Sequence, residues 1–181
     1  MKKFELTNEF ITNMFGTKLF RIRALVEFGD VEAGELGGYV EKESNLGHDD
    51  NAWVYGNARV YGDAQVSGDA LVYGNARVYG NALVYDNAWV YGNARVCGDA
   101  RVCGDARVCG NGDYAYAHGF GSVNRTTTFF RLKDGGVGVR CGCFYGTLAQ
   151  FRDKIRETHG ETKKAQEYLM LADLMKLRFE K

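Results

Sequence analysis

Ala58-Arg59-Val60-Tyr61-Gly62-Asp63 returns eighteen residues later as Ala76-Arg77-Val78-Tyr79-Gly80-Asn81, and between Asn51 and Asn111 one six-residue frame, Ala-x-Val-Tyr-Gly-Asn, is written ten times. Only Tyr85-Asp86 loses its glycine. So strict a period means an array whose units rest on one another. Ala and Val stand two apart, so in an extended segment both point to one side and the residue between them to the other. Gly followed by Asn or Asp is a turn signal, because these residues enter the left-handed region most easily. Three such bends in one sense close a triangle, with eighteen residues per coil and each strand stacked in parallel on the next at about 4.8 Å. Helical repeats would need apolar spacings of three and four.

An aliphatic residue followed four positions later by a small one, as in Val60 to Ala64, resembles the hexapeptide-repeat left-handed parallel β-helix family. The handedness comes from that resemblance, since parallel crossovers are otherwise right-handed. The expected fold is mainly β: a triangular prism over 38–117, an N-terminal β cap over 1–37, and a C-terminal β-hairpin with two helices over 118–181. The Gly37-Gly38-Tyr39-Val40 opening, the Arg125-Thr126-Thr127-Thr128-Phe129-Phe130-Arg131 segment and Cys141-Gly142-Cys143-Phe144 resemble those of uncharacterised phage and prophage hexapeptide proteins.

The 181 residues include 23 basic and 23 acidic ones, so no global charge draws the chain to nucleic acid and any attraction is local. Proline is absent, as suits a backbone that donates to a ladder. Met1-Lys2-Lys3 leads into no apolar run, so neither a signal peptide nor a membrane span is expected, and the five cysteines are expected as free thiols in a bacterial cytoplasm.

Along the chain, Phe4–Leu6 and Lys18–Leu25 read as strands of the cap. The first coil, Val40 to Asn51, is expected to carry an excursion at Ser44–His48. Asn124–Arg131 and Val137–Phe144 read as a hairpin, with Cys141 and Cys143 on one strand face. Thr147-Leu-Ala-Gln150 has capping-box spacing, Gly160 is a stop signal, and a second helix starts near Thr162.

Sorting outward residues by side gives three rows. Trp53, Leu71 and Trp89 with Tyr55, Tyr73 and Tyr91 form an apolar wall that should be covered, by the C-terminal helices or by another protomer. The resembled family implies a homo-oligomer, usually a trimer. Arg59, Arg77 and Arg95 with Tyr61, Tyr79 and Cys97 form a second row, where guanidiniums beside phenols suit a phosphate and a base or ribose; alternatively the arginines cover the tyrosines or meet carboxylates of a neighbouring subunit. Gln65, Leu83 and Arg101 form the third. Cys97, Cys103 and Cys109 fall on successive sides, about 15–20 Å apart, beyond disulfide or zinc reach.

A second candidate region is His118 with Ser122, Arg125, Thr126 and Thr127, where backbone NH groups, hydroxyls and a guanidinium could cradle an anion. An ordinary threonine-rich hairpin accounts for it equally. No metal and no cofactor are expected. The family resemblance also implies acyltransferases that use acyl-CoA and a histidine base, yet no histidine lies between Asp49 and Ala117; His48 and His118 stand at the two ends. The expected function is therefore a non-enzymatic holder of a small anionic, nucleotide-like ligand, which would sequester it and counter host defence signalling if phage-encoded. A structural scaffold is the first alternative and an acyltransferase the second.

Overall fold

The computed structural model describes residues 2–121 and 123–180. The six-residue frame becomes ten two-residue strands: β4 (Trp53–Val54), β5 (Arg59–Val60), β6 (Gln65–Val66), β7 (Leu71–Val72), β8 (Arg77–Val78), β9 (Leu83–Val84), β10 (Trp89–Val90), β11 (Arg95–Val96), β12 (Arg101–Val102) and β13 (Arg107–Val108). Strands pair in parallel with those three along, so Trp53 meets Leu71 and Arg59 meets Arg77, eighteen residues away. The result is a β-solenoid of about four turns. Its interior is the Ala and Val rows, from Ala52 and Val54 to Ala106 and Val108, all fully buried. Small inner side chains let three short strands close tightly. Corner glycines from Gly56 to Gly104 take positive φ, and where the frame lacks one, Asp86 adopts φ 57°; its Oδ2 accepts from Gly104 N at 3.2 Å, which offsets part of the left-handed strain.

Three strands precede the array: β1 (Phe4–Thr12), β2 (Lys18–Ala24) and β3 (Leu36–Val40). The first two form an antiparallel hairpin, β2 pairs with β3, and β3 joins β5 in parallel. The cap therefore extends one wall of the solenoid. Gly37 and Gly38 allow this close seating, since a Cβ at either would come within 2.6 and 2.7 Å of the Val54 and Ala58 carbonyl oxygens. Tyr39 meets Arg59 and Leu46 meets Val66, an offset of twenty. The excursion thus follows Leu46, at 47–51, where Asp50 has φ 60°. It overlaps the expected Ser44–His48 only at Gly47 and His48 and runs further along the chain, because Asn45 is buried at a corner and donates to the Gly62 and Ala64 carbonyls.

At its first coil the apolar wall is covered by the N-terminal cap rather than by the C-terminal helices. Trp53 is buried under the N-terminal cap, its ring 5.3 Å from Phe28 and 6.2 Å from Phe4. Trp89, two coils on, stays 37% exposed with the Arg107 guanidinium 4.1 Å over its ring.

Beyond the array the expected hairpin is a four-stranded antiparallel meander: β14 (Tyr114–Phe120), β15 (Arg125–Arg131), β16 (Val137–Cys141) and β17 (Phe144–Thr147). Both expected domain boundaries, 37/38 and 117/118, fall inside strands. One face of the meander closes the solenoid: Phe130 and Tyr114 join its core, and Thr128 Oγ1 accepts from Arg101 N at 2.9 Å. The other face packs on α1 (Leu148–His159) and α2 (Lys163–Phe179) through Phe129, Val139, Phe151, Ile155, Tyr168 and Ala172. Thr147 caps α1 with Gln150 in a capping box, and Gly160 ends it at φ 56°. Cys141 and Cys143 do not share a strand face. Gly142, at φ 58°, turns β16 into β17 and leaves Cys143 exposed at the turn.

Candidate functional site

Because Ala and Val point inward, the residue between them points out, and the register of β5, β8 and β11 stacks Arg59, Arg77 and Arg95. Beside them the Tyr61 and Tyr79 rings lie parallel, 5.1 Å apart with 3° between planes. At the lower end the row is neutralised: Arg21 lies over the Tyr39 ring, and Glu9 accepts from Arg21 at 3.0 Å and from the Tyr39 hydroxyl at 3.1 Å. Above Tyr39 it is not. Among the described residues, the guanidiniums of Arg59, Arg77 and Arg95 take no hydrogen-bond or ion-pair partner. Burial raises the Tyr61 pKa, while Arg77, Arg59 and Arg95 all pull it down, so three positive charges act on one phenol. The tip of the β1–β2 hairpin overhangs this row, enclosing about 230 Å³ between Asn13, Met14 and Phe15 on one side and Arg59, Tyr61 and Arg77 on the other. Met14 and Phe15 are 86% and 80% exposed. The sequence reading missed this tip; the signal for it was Asn13 and Gly16 set between two alternating strands.

Upward, Cys97 takes the place of a third tyrosine, its Sγ 3.7 Å from the Tyr114 hydroxyl, which donates to Arg95 O at 2.6 Å. Arg178 of α2 reaches the same end and donates to Asn111 O and Tyr114 O.

The second candidate region is not assembled as expected, because alternation along β15 splits it between two faces. Thr126 pairs with His118 at 2.9 Å on the solenoid side. Thr127 is buried on the helix side and donates to Cys141 Sγ at 3.1 Å. Arg125 also faces the helices, where it lines a cavity with Lys154 and His159 of α1 and Tyr168 of α2. Ser122 lies outside the described residues. Lys154 and His159 were missed, although Phe151, Ile155 and His159 recur at four-residue spacing along one helix face.

Of the histidines, His48 serves the cap: its Nδ1 accepts from Lys3 N at 3.2 Å and its ring stacks on Phe4 at 4.4 Å. Cys97, Cys103 and Cys109 follow β11, β12 and β13, which belong to three different sheets.

Residues 52–65, 64–78, 76–92 and 88–104 match a family model described as the YdcK beta solenoid repeat. The match identifies a repeat β-helix and ends short of both terminal modules, which carry the hairpin tip and the Arg125 cavity. No curated protein matches the chain. Among the described residues, no helix is long and apolar enough to cross a membrane.

Proposed function

We propose that this is a non-enzymatic binding protein that holds a small phosphorylated, nucleotide-like ligand on the Arg59–Arg77–Arg95 side of the solenoid. The observation that carries the reading is three guanidiniums in register without an acidic partner among the described residues, beside two stacked phenols. Like charges held at the ladder spacing repel by about 1–3 kcal/mol per neighbouring pair at effective dielectric constants between water and a protein surface. A phosphate relieves that repulsion, and each charge-assisted hydrogen bond it accepts contributes about 1.5–3 kcal/mol. A base or ribose then packs against Tyr61 or under Phe15. The side is built on stacked strands rather than on a closing lid, which suits a preorganised holder better than an enzyme.

The reading extends to a homotrimer in the cytoplasm of an infected or lysogenic bacterium, where a phage-encoded holder would withdraw a nucleotide used in host defence signalling. These parts rest on the family resemblance alone. To test the binding, the purified protein is heat-denatured and released nucleotides are identified by mass spectrometry, and a nucleotide panel is screened by thermal shift on the parent, Arg77→Gln and Tyr61→Leu. A stabilising nucleotide whose effect is lost in both variants supports the reading. With nothing released and no shift in the parent, the scaffold reading replaces it.

A further inference from the structure

The turn between β16 and β17, the start of β15 and one face of α1 and α2 enclose a separate cavity of about 250 Å³. Its walls are aromatic. The Phe144 and Phe151 rings are 5.4 Å apart, Phe151 meets Tyr168 edge-on at 5.8 Å, and His159 stacks on Tyr168 at 5.9 Å. At its mouth the Arg125 guanidinium lies directly over Gly142, where an added Cβ would come 2.0 Å from Nη1. Among the described residues Arg125 has no hydrogen-bond or ion-pair partner. Of the other charges nearby, Lys154 pairs with Glu157 at 2.9 Å, and Glu167 is turned to the Gly121 N–H, from which it accepts at 3.4 Å. The Tyr168 hydroxyl donates to Phe120 O, and burial lifts its pKa to about 12, with the Arg125 charge opposing.

We propose that this cavity is a second binding site, for a planar aromatic anion of one or two rings bearing a carboxylate or a phosphate. The ring lies among Phe144, Phe151 and His159 and the charge meets Arg125. Sites for drug-sized ligands enclose roughly 300–1,000 Å³, so the smaller volume selects a compact molecule. Apolar walls supply affinity, while the guanidinium at the rim fixes orientation and charge. The proposal is independent of the Arg59–Arg77–Arg95 reading, since the two sites share no residue.

Two exposed thiols make the test internal to the folded chain: Cys143 lines the cavity and Cys109, on the solenoid, does not. Alkylation of both by iodoacetamide is followed by mass spectrometry with phenyl phosphate, phenylacetate, inorganic phosphate or benzyl alcohol present. The expected result is that phenyl phosphate, phenylacetate or both slow Cys143 by about tenfold at roughly ten times Kd, with Cys109 unchanged; which of them protects identifies the anionic group. Protection disappears in Arg125→Gln and in Thr158→Trp, which adds bulk to the lining from α1 and leaves the arginine in the sequence. No protection by either aromatic anion, equal protection at Cys109, equal protection by benzyl alcohol or inorganic phosphate, or retention in both variants overturns the proposal.

Discussion

Within the array a residue meets its partner eighteen positions away, coil after coil. In the C-terminal meander the distances vary: Phe130 faces Gly138, eight residues on, and Tyr114, sixteen residues back. The array is held by a repeated small-residue core, and the module by large aromatics gathered from strands and helices. In a solenoid, stability is a sum over neighbouring coils, whereas the module's aromatic cluster has no repeat to share a loss. The contrast teaches that the two regions should fail differently, and adjacent phenylalanines test it first. Phe129 belongs to the module core and Phe130 to the solenoid core. Each Phe→Ala change should cost about 3–5 kcal/mol. In hydrogen exchange, Phe129→Ala should unprotect β14–β17 and both helices while β5–β12 stay protected, and Phe130→Ala should lower protection on both sides of the junction. Uniform loss in both variants would mean the chain opens as one unit.

The second comparison lies inside the array. Trp53 and Trp89 are the protein's two tryptophans and occupy one repeat position, yet only the first is enclosed by the cap. Trp53→Ala should cost about 3–5 kcal/mol and Trp89→Ala under about 1 kcal/mol. Acrylamide should quench Trp89 fluorescence and spare Trp53. If Trp89 is shielded as well, a partner covers that side, and light scattering on Trp89→Glu should then report a smaller particle.

The array was legible because its period fixes which side each residue faces, so the three-arginine row and the separation of Cys97, Cys103 and Cys109 followed directly. The meander was not. Tyr114–Phe120 alternates Tyr with Ala and ends in His-Gly-Phe, a weak strand signal, and its pairing with Thr127–Phe130 depends on a turn that the period does not set. Without that pairing, nothing in the sequence chose which face of β15 carries Arg125 and which carries Thr126. The cavity partners on α1 and α2 lie still farther along the chain, as does the hairpin tip from the arginines it overhangs.

A buried amine sharpens the contrast at the other end of the array. Lys3 is 3% exposed and donates to Asp50 O and Ala52 O at 3.2 and 2.9 Å. Burial lowers its pKa from 10.5 to about 8, against the raising effect of Asp50, Asp49 and Asp69. Between those values the unfolded chain holds a proton that the folded chain has released, so this residue makes stability rise with pH from about 8 to 10.5. The rise should be on the order of 1–2 kcal/mol after allowing for solvent screening. Burial raises the Cys103 thiol, whose slope has the opposite sign. Urea unfolding of parent and Lys3→Met across that range therefore isolates the lysine by difference, and parallel curves would refute its role.

The smallest expected effect bears most on function. Arg77 sits between Arg59 and Arg95, so Arg77→Glu replaces two like-charged neighbours with two opposite ones. Cross-strand charge pairs contribute roughly 0.2–1 kcal/mol, and the ligand-free variant should gain about 0.5–1 kcal/mol. That gain should shrink as added salt shortens the screening length. In the module, Lys154 already pairs with Glu157, so the same reversal at Lys154→Glu should lose stability instead. Opposite signs at the two sites would mean that the solenoid side carries unrelieved positive charge for an incoming anion. If Arg77→Glu lowers stability too, the arginine is paired in solution, and a neighbouring subunit's carboxylates become the better account of the row than a bound phosphate.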